Sequence, residues 1–458
     1  MEEEDVTNAG AVNTRAIVLD ILTEVLENEQ YGHLVINSAL KKYQYLSKQD
    51  RAFIDRVSQG TIEKKITIDY IINLYSSVLV KKMKPVIRNI IRMSVYQIVF
   101  MDGIKDYAVC DEAVKLAKKR GFAQLKGFVN GVLRNISRQK ENIEYPNSKA
   151  NMLQYLSVKY SIPQWIIISW QNEYSDAEIE DMLKAFEEKR PTTIRCNKML
   201  NSLDELKKKL DKEGIKYEPA AYIPYALNIY DYNYLEELEC FEEGAFQIQD
   251  VSSMLVGLVA SPKKGDTVID VCAAPGGKTV HIADLLEDTG YVEARDILPN
   301  KVLLIKENIS RNKLNNAMAV VKDALVLDEE AIEKADIVLA DLPCSGLGIL
   351  GRKPDIKYNM TPEKQEDLVK LQRSMLEIVC QYVKIGGHLI YSTCTINQKE
   401  NIENIRWFAD NYGFEFESLD NVLPKELHSK TTAKGYIQLL PGKHNCDGFF
   451  IAKLKRIK

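Results

Sequence analysis

The sequence lacks the long apolar runs and the paired metal-binding motifs that characterise membrane proteins and zinc proteins. No stretch of its 458 residues is apolar enough to span a bilayer, and the N-terminus, Met1-Glu2-Glu3-Glu4-Asp5, does not resemble a signal peptide. Only five histidines are present and no CxxC or HExxH pair occurs, so we expect no metal site. The eight cysteines show no close spacing, which favours reduced thiols in the cytoplasm over a disulfide scaffold.

Two nucleotide-binding fingerprints are also absent. Gly277-Lys278-Thr279 resembles the end of a P-loop, but a Walker A loop needs a glycine five residues before Gly277, and Cys272 occupies that position. The same loop lacks the G-x-G-x-x-G pattern of Rossmann dehydrogenases. Its Pro-Gly-Gly-Lys sequence is also the wrong shape for a pyrophosphate cradle. S-adenosylmethionine, which carries adenosine without phosphate, fits this loop better.

The chain is too long for one ordinary domain, and its pattern changes twice along its length. Residues 13–138 have apolar side chains at helical spacing, which predicts an all-α domain. Residues 147–234 mix helical stretches with alternating ones and predict a small α+β module. From about Phe241 onward, apolar strands alternate with helical stretches, as in a doubly wound α/β sheet. We therefore predict three domains, 1–145, 146–240 and 241–458.

Charge is distributed unevenly along the predicted helical region. Between Tyr31 and Lys140 there are 21 Lys and Arg against 8 Asp and Glu, although the whole protein has a net charge of −4. A basic segment in a weakly acidic protein is typical of a polyanion-binding face, but an ordinary solvated helical surface has the same composition. The residues that we predict to contact nucleic acid are Lys118, Lys119, Arg120, Lys126, Arg134 and, in the small module, Arg195.

Three acidic residues stand at the ends of successive predicted strands, namely Asp296, Asp323 and Asp341. In an α/β sheet, ligands bind just beyond the carboxyl ends of the strands. Asp296 can accept hydrogen bonds from both ribose hydroxyls, and Asp323 can reach an adenine amino group. Each acid alone is a weak signal, since aspartate is also a common helix N-cap, but three at neighbouring strand ends favour a nucleoside site.

The loop upstream of these acids joins a predicted strand to a helix through small residues, which let the backbone approach a ligand closely. We call this loop, residues 272–278, the donor loop. Together with the acids it forms the predicted S-adenosylmethionine site. The cofactor-binding residues that we predict are Cys272, Ala273, Ala274, Pro275, Gly276, Gly277, Lys278, Asp296, Asp323 and Asp341.

Two cysteines fifty positions apart, Cys344 and Cys394, each follow an apolar run that predicts a buried strand. Their shared strand-end position places both thiols in the crevice of Asp341, whereas a lone cysteine is more often an inert core residue. Thiols suit the methylation of carbon 5 of a pyrimidine, because a thiolate that adds to carbon 6 makes carbon 5 nucleophilic. A second thiol beside a carboxylate can then assist proton transfer and elimination. This chemistry alone leaves the order of the two thiols open.

The motifs around these residues resemble those of the Sun-type RNA cytosine-5 methyltransferase family. The central matches are Asp341-Leu342-Pro343-Cys344-Ser345-Gly346, Ser392-Thr393-Cys394-Thr395 and Cys272-Ala273-Ala274-Pro275-Gly276-Gly277-Lys278. Further matches are Phe246-Gln247-Ile248-Gln249-Asp250, Arg352-Lys353-Pro354-Asp355 and Asp447-Gly448-Phe449-Phe450. The helical region resembles the antitermination factor NusB in its arrangement and in Asn130-Gly131-Val132-Leu133-Arg134.

The resemblance implies that Cys394 is the nucleophile, that Cys344 promotes release of the methylated product, and that Asp341 contacts the target base. It also implies an all-α NusB-like RNA-binding domain, a small α+β module and a Rossmann-like S-adenosylmethionine-dependent methyltransferase domain. The fusion of a NusB-like domain to a methyltransferase domain implies that the partner is 16S rRNA or a small-subunit assembly intermediate. It also implies a cytoplasmic monomer that binds neither a membrane nor a metal.

Two alternatives remain open. An amino-group methyltransferase could use the same sheet, but such enzymes typically have Asn or Asp followed by Pro-Pro and an aromatic residue, where this chain has Leu342-Pro343-Cys344. A non-catalytic RNA-binding or antitermination factor would be expected to have lost a thiol or the donor loop, and this sequence retains both.

Overall fold

The computed structural model of the protein describes residues 12–232 and 234–458, so the acidic residues 2–5 lie outside the described part. The chain divides into two compact units. One comprises the chain up to Glu180 together with Leu350–Asn359, and the other comprises Asp181–Ile349 and Met360–Lys458. The domain boundaries at 145 and 240 stay predictions.

The first unit is helical, as the apolar spacing predicts. Caps define several of its helices: the Asn13 side chain accepts from the Ala16 amide at 3.0 Å, and Pro85 occupies the first turn of its helix. Apolar faces of the helices between Thr14 and Gln139 form one buried core. The helices are α1 (Thr14–Leu26), α2 (Gly32–Lys42), α3 (Lys48–Glu63), α4 (Lys65–Tyr75), α5 (Pro85–Phe100), α6 (Asp106–Lys119), α7 (Lys126–Gln139), α8 (Met152–Tyr160) and α9 (Gln164–Gln171). Helix α10 (Asp176–Glu187) spans the division between the units.

The segment Leu350–Asn359, which contains the Arg-Lys-Pro-Asp motif, packs within the helical unit although it follows Cys344 in sequence. Asp355 accepts a hydrogen bond from the Gly32 amide at 3.0 Å, and Lys357 donates to the Glu63 carbonyl at 2.9 Å. A single domain boundary near residue 240 does not anticipate this return of the chain.

The second unit begins with a small antiparallel sheet in the order β2-β3-β1-β4. The apolar faces of its strands and of one amphipathic helix form a separate core. That helix has a capping box, in which Ser202 and Glu205 satisfy each other's backbone amides. The elements are β1 (Thr192–Cys196), α11 (Leu203–Lys212), β2 (Lys216–Pro219), β3 (Ala226–Tyr230), α12 (Glu239–Glu242) and β4 (Phe246–Ile248).

A large mixed sheet forms the rest of this unit. Its helices and strands are α13 (Val251–Ala260), β5 (Thr267–Asp270), α14 (Gly277–Leu285), β6 (Tyr291–Asp296), α15 (Pro299–Arg311), β7 (Ala317–Val321), β8 (Ala335–Asp341), α16 (Ile356–Asn359, which lies in the helical unit), α17 (Pro362–Val379), β9 (Val383–Thr393), α18 (Ile402–Tyr412), β10 (Phe414–Phe416), β11 (Tyr436–Leu439) and β12 (Phe449–Arg456). The strand order is β10-β12-β9-β8-β5-β6-β7, with β11 also paired to β12.

Five strands, β9-β8-β5-β6-β7, are parallel, as the alternation of strands and helices predicts. The chain builds β5, β6 and β7 outward in one direction, then returns to place β8 and β9 on the other side of β5. This reversal creates a topological switch point between β5 and β8, where α/β sheets bind ligands. The antiparallel strands β10, β11 and β12 extend the sheet beyond β9 and were not predicted from the sequence.

Within residues 12–232 and 234–458, no helix is both long enough and apolar enough to cross a membrane. The described residues also contain no cluster of three or more His, Cys, Asp or Glu side chains that could hold a metal ion.

Candidate active site

The site lies at the carboxyl ends of the parallel strands and is centred on the switch point between β5 and β8. Register aligns the strand ends: Asp270 of β5 pairs with Leu339 of β8, and Asp341 of β8 pairs with Ser392 of β9. Cys344 and Cys394 follow the ends of β8 and β9. The predicted donor loop follows β5, so all these side chains share one edge of the sheet.

An ion pair joins the donor loop to the thiol strands. Lys278 Nζ lies 2.7 Å from Asp341 Oδ2, and Ser392 Oγ donates to Asp341 Oδ1 at 2.7 Å. Burial disfavours the ammonium charge, but the carboxylates of Asp341 and Asp270 outweigh it and raise the pKa of Lys278. The ammonium also lies 5.2 Å from the centre of the Phe449 ring. Asp341 is therefore an oriented carboxylate at the centre of the site.

The two thiols are in contact. Cys344 Sγ and Cys394 Sγ are 3.3 Å apart, and both cysteines are partly buried free thiols. The contact with Cys394, burial, and the negative charges of Cys394 and Glu400 raise the pKa of the Cys344 thiol well above its ordinary value. Cys344 therefore keeps its proton at neutral pH and can share it with the sulfur of Cys394.

The donor loop forms a tight turn into α14. Gly276 has a φ of +104°, and a Cβ there would lie 3.3 Å from Ile305, so a side chain would be both strained and crowded. The Gly276 amide donates to the Ala273 carbonyl at 2.7 Å, and the Ala273 amide donates to the Arg295 carbonyl at 2.8 Å. The small residues bring the backbone close to the edge of the sheet, as the sequence predicts.

Asp270, which ends β5 directly before this loop, is a functional candidate that the sequence analysis missed. It is fully buried, and Thr279 Oγ1 donates to its Oδ2 at 2.7 Å. Its Oδ1 is buried and accepts no hydrogen bond from any described residue. Burial raises the pKa of Asp270 to about 7. Such an orphaned acceptor fits a cationic or amino group of a bound molecule, and its position at a strand end was the available signal.

Asp296 and Asp323 lie at the ends of the next two strands. Asp296 is 7% exposed and accepts from the Leu298 amide at 3.1 Å, while Asp323 accepts from the Leu325 amide at 2.9 Å. One oxygen of each carboxylate thus stabilises the local turn, which is the ordinary structural use of a strand-end aspartate. The register of β6 and β7 keeps both carboxylates on the same edge as the donor loop.

The predicted nucleic-acid residues of the helical unit are exposed. Lys118, Lys119 and Arg120 end α6, and Lys126 and Arg134 lie on α7. The Arg120 guanidinium lies 2.6 Å from Asp20, and Arg134 donates to Asn130 at 3.1 Å. Their contact with nucleic acid stays a prediction.

The prediction for Arg195 is wrong. Its side chain has no exposed surface, forms an ion pair with Asp284 at 2.5 Å and donates to Gln249 at 3.0 Å. Strand β1 is a central strand, so its inward positions face the packed interior of the unit. The alternating pattern indicated the strand but not which face Arg195 occupies.

The parallel sheet, the small-residue turn after β5 and the row of strand-end acids define the class: the C-terminal part of the chain is a S-adenosylmethionine-dependent methyltransferase domain. Residues 257–455 match the family described as 16S rRNA methyltransferase RsmB/F. Residues 12–138 match the NusB family, and residues 162–233 match the ferredoxin-like domain of RsmF/B-like methyltransferases.

Two relatives match this chain over nearly their whole length. A probable ribosomal RNA small subunit methyltransferase B from Bacillus subtilis is 35% identical over 97% of this chain and 99% of its own length. Its counterpart from Synechocystis is 31% identical over 97% of this chain and 100% of its own length. The chain belongs to the RsmB/F family of 16S rRNA methyltransferases, which confirms the predicted fold class and the family resemblance.

Solved structures share the fold of this chain. The crystal structure of PH0851 has a TM-score of 0.80 at 26% identity and covers 97% of this chain and 99% of its own. The structure of NSun6 from Pyrococcus horikoshii with SFG has a TM-score of 0.57 at 26% identity and covers 63% of this chain and 97% of its own.

Proposed function

We propose that this protein methylates carbon 5 of a cytosine in 16S rRNA through a covalent adduct between Cys394 and carbon 6 of the base. The observation that carries the proposal is the contact between Cys344 Sγ and Cys394 Sγ, 3.3 Å apart, beside the oriented carboxylate of Asp341. A methyltransferase acting on an amino group needs no thiol. The names of the relatives, which are small-subunit rRNA methyltransferases, support the RNA part of the proposal.

The reaction begins with the two thiols. Cys394, as a thiolate, adds to carbon 6 of the cytosine, and the electron pair of the double bond between carbons 5 and 6 moves to carbon 5. Protonated Cys344 stabilises the thiolate through its S–H group before attack. Asp341 accepts a hydrogen bond from the amino group of the base and fixes its orientation.

S-adenosylmethionine supplies an electrophilic methyl group when bound. After carbon 5 has taken up the methyl group, its remaining proton passes to water. The electron pair of that C–H bond restores the double bond between carbons 5 and 6, and the bond between Cys394 Sγ and carbon 6 breaks to return the thiolate. Cys344, whose sulfur contacts the departing one, promotes this release. The target base reaches the crevice only after leaving any stacked helix.

The residues around the donor loop fit S-adenosylmethionine. The orphaned Oδ1 of Asp270 can accept from its amino group, and the small residues 272–277 leave space for its methionine part. Asp296 would accept from the ribose hydroxyls and Asp323 from the adenine amino group. Lys278 holds Asp341 between this site and the thiols.

The helical domain would supply affinity for rRNA through Lys118, Lys119, Arg120, Lys126 and Arg134, because contacts to phosphate carry no direct sequence information. We place the protein in the cytoplasm, where it would meet rRNA or an assembling subunit, and we place its domain boundaries near residues 145 and 240.

The adduct itself tests the proposal. A Cys344→Ala variant incubated with small-subunit rRNA and S-adenosylmethionine is expected to accumulate a covalent protein–RNA complex, because release is impaired. In the double variant Cys344→Ala/Cys394→Ala, no such complex should appear on a denaturing gel. Cys380→Ala, which removes a buried thiol away from the strand ends, is the matched control and should behave like the wild type. A complex that persists without Cys394 would contradict the proposal.

A further inference from the structure

We infer that Glu400 is a positioning residue for methyl transfer: its carboxylate ties the backbone on both sides of Cys344 to the loop that carries Cys394 and so holds the two sulfurs in contact. We call Glu400 and Gln372, with the groups that they bind, the thiol clamp. The inference depends on the proposed function for the chemical roles of the thiols. Its geometric basis is independent of those roles.

On the Cys344 side, the clamp binds the residues directly before and after the cysteine. The Ser345 amide donates to Glu400 Oε2 at 2.8 Å, and the Ser345 hydroxyl donates to Oε1 at 2.6 Å. Gln372 Nε2 donates to the Pro343 carbonyl at 2.9 Å and to Glu400 Oε2 at 3.2 Å. The position of Cys344 is therefore fixed through both of its neighbours.

On the Cys394 side, the same carboxylate holds the following loop. Asn397 Nδ2 donates to Glu400 Oε1 at 2.9 Å, and the hydroxyls of Thr395 and Ser345 are 2.7 Å apart. The Tyr391 hydroxyl, on the strand before the cysteine, donates to the Glu400 carbonyl. One buried side chain therefore links the loops after β8 and β9, which are fifty residues apart in sequence.

The hydrogen-bond pattern explains why a carboxylate is needed at this position. Four donor groups converge on its two oxygens, from the Ser345 amide and hydroxyl, Asn397 and Gln372. A glutamine would turn an N–H₂ group towards two of these donors, although it has nearly the same shape. Glu400 has no exposed surface and forms no ion pair with any described Lys or Arg. Burial raises the pKa of its carboxyl group, and the hydrogen bonds from Ser345, Asn397 and Gln372 oppose this effect.

Glu400 also acts on the chemistry at a distance. Its negative charge is among the causes that raise the pKa of the Cys344 thiol. This charge adds to the larger effects of the contact with Cys394 and of burial, and like them it favours the protonated form of Cys344. The carboxylate touches neither sulfur, and it acts through Ser345 and Gln372.

The test compares Glu400→Gln with Glu403→Gln in the full-length protein. Glu403 is the matched control because it lies three residues further on, in the first turn of α18, and is exposed. The first measurement is oxidation by diamide, in which the two thiols form the Cys344–Cys394 disulfide and lose two hydrogens that reduce diamide to its hydrazine. Mass spectrometry of the linked peptides gives the rate. This rate reports thiol alignment without any reference to methylation.

The second measurement is the rate of covalent complex formation with a small-subunit rRNA transcript containing 5-fluorocytidine, in the presence of S-adenosylmethionine. Fluorine occupies the position of the proton that must leave, so the adduct accumulates. We expect Glu400→Gln to slow both rates by roughly 10- to 100-fold, the cost of a misplacement of about 1 Å, with unchanged affinities for S-adenosylmethionine and rRNA. Glu403→Gln should match the wild type.

If Glu400→Gln forms the disulfide and the RNA adduct as fast as the wild type does, Glu400 does not position the two thiols and the inference is wrong. Absence of a Cys394-dependent adduct in the wild type would instead overturn the proposed function, so the two failures are read from different assays. If Glu400→Gln does not fold, Ser345→Ala removes one donor and the link to Thr395 while keeping the backbone bond. In this variant both rates should fall, but by less than is expected for Glu400→Gln. If both rates equal those of the wild type, the inference is also wrong.

Discussion

Asp270, directly before the proposed cofactor loop, makes the stability of the methyltransferase domain depend on pH. Its carboxyl group is fully buried, and its pKa rises from 3.8 to about 7 in the folded protein. Because the folded-state pKa lies above that of the unfolded chain, the carboxyl group destabilises the fold increasingly as the pH rises between these two values. The destabilisation is constant above the folded-state pKa and vanishes below the unfolded one.

The magnitude follows from the size of the shift. At about 1.4 kcal/mol per pKa unit, the raised pKa of Asp270 costs the fold about 4 kcal/mol at pH 8, where the buried group is ionised. At pH 5 the folded group is protonated while the unfolded one is ionised, and the cost is about 2 kcal/mol. Asp270→Asn keeps an acceptor for the Thr279 hydroxyl and removes the charge. The variant is therefore expected to be more stable than the wild type, and its advantage should grow by about 2–3 kcal/mol from pH 5 to pH 8.

Urea unfolding at both pH values, followed by the fluorescence of Trp407, measures this difference. Trp407 lies in the same compact unit as Asp270, so Trp165 and Trp170 of the helical unit are replaced by Phe in all proteins compared. Asp288→Asn changes an exposed aspartate in that unit and should have no such effect. The stabilised Asp270→Asn protein should also bind S-adenosylmethionine more weakly. A stability difference that does not change with pH would refute the reasoning.

Three further predictions concern packing and charge. Gly348→Ala should lower methylation roughly 100-fold, because the new Cβ would overlap a facing backbone carbonyl beside the thiols, whereas Gly131→Ala, which has open space, should be neutral in the same assay. Arg195→Ala should cost about 3–5 kcal/mol in urea unfolding by leaving a buried carboxylate unpaired, and rRNA affinity measured where the variant is folded should not change. Lys118→Ser combined with Lys119→Ser should weaken rRNA binding and lower the slope of log affinity against log salt by about 2, and an unchanged slope would contradict their role.

The sequence predicts the parallel part of the sheet and the meeting of the thiols because both depend on local signals. Beyond Phe241, the predicted alternation of apolar strands and helical stretches is confirmed by β5, β6, β7, β8 and β9 and the helices between them. Strands β10, β11 and β12 were missed because their pairing is antiparallel and long-range. The alternation of strands and helices in the sequence therefore does not predict them. The return of Leu350–Asn359 to the helical unit was missed for the same reason.

The side-chain environment was harder to predict than the strand ends. Arg195 looked like a surface cation, but its partner Asp284 is 89 residues away and only the fold brings the two together. Glu400 belongs to none of the sequence motifs, and only the packing of β8 beside β9 brings its four donors together. Asp270 ends the strand directly before the donor loop, but its burial and its orphaned oxygen depend on tertiary structure.

The most direct test of the central claim is bisulfite mapping of cytosine methylation in 16S rRNA from cells that lack this protein and are complemented with wild type or Cys394→Ala. If Cys394 is the nucleophile, one cytosine should resist conversion with the wild type and be fully converted with Cys394→Ala, at equal protein levels. A cytosine that stays methylated without the Cys394 thiol, or no cytosine that depends on the protein, would contradict it.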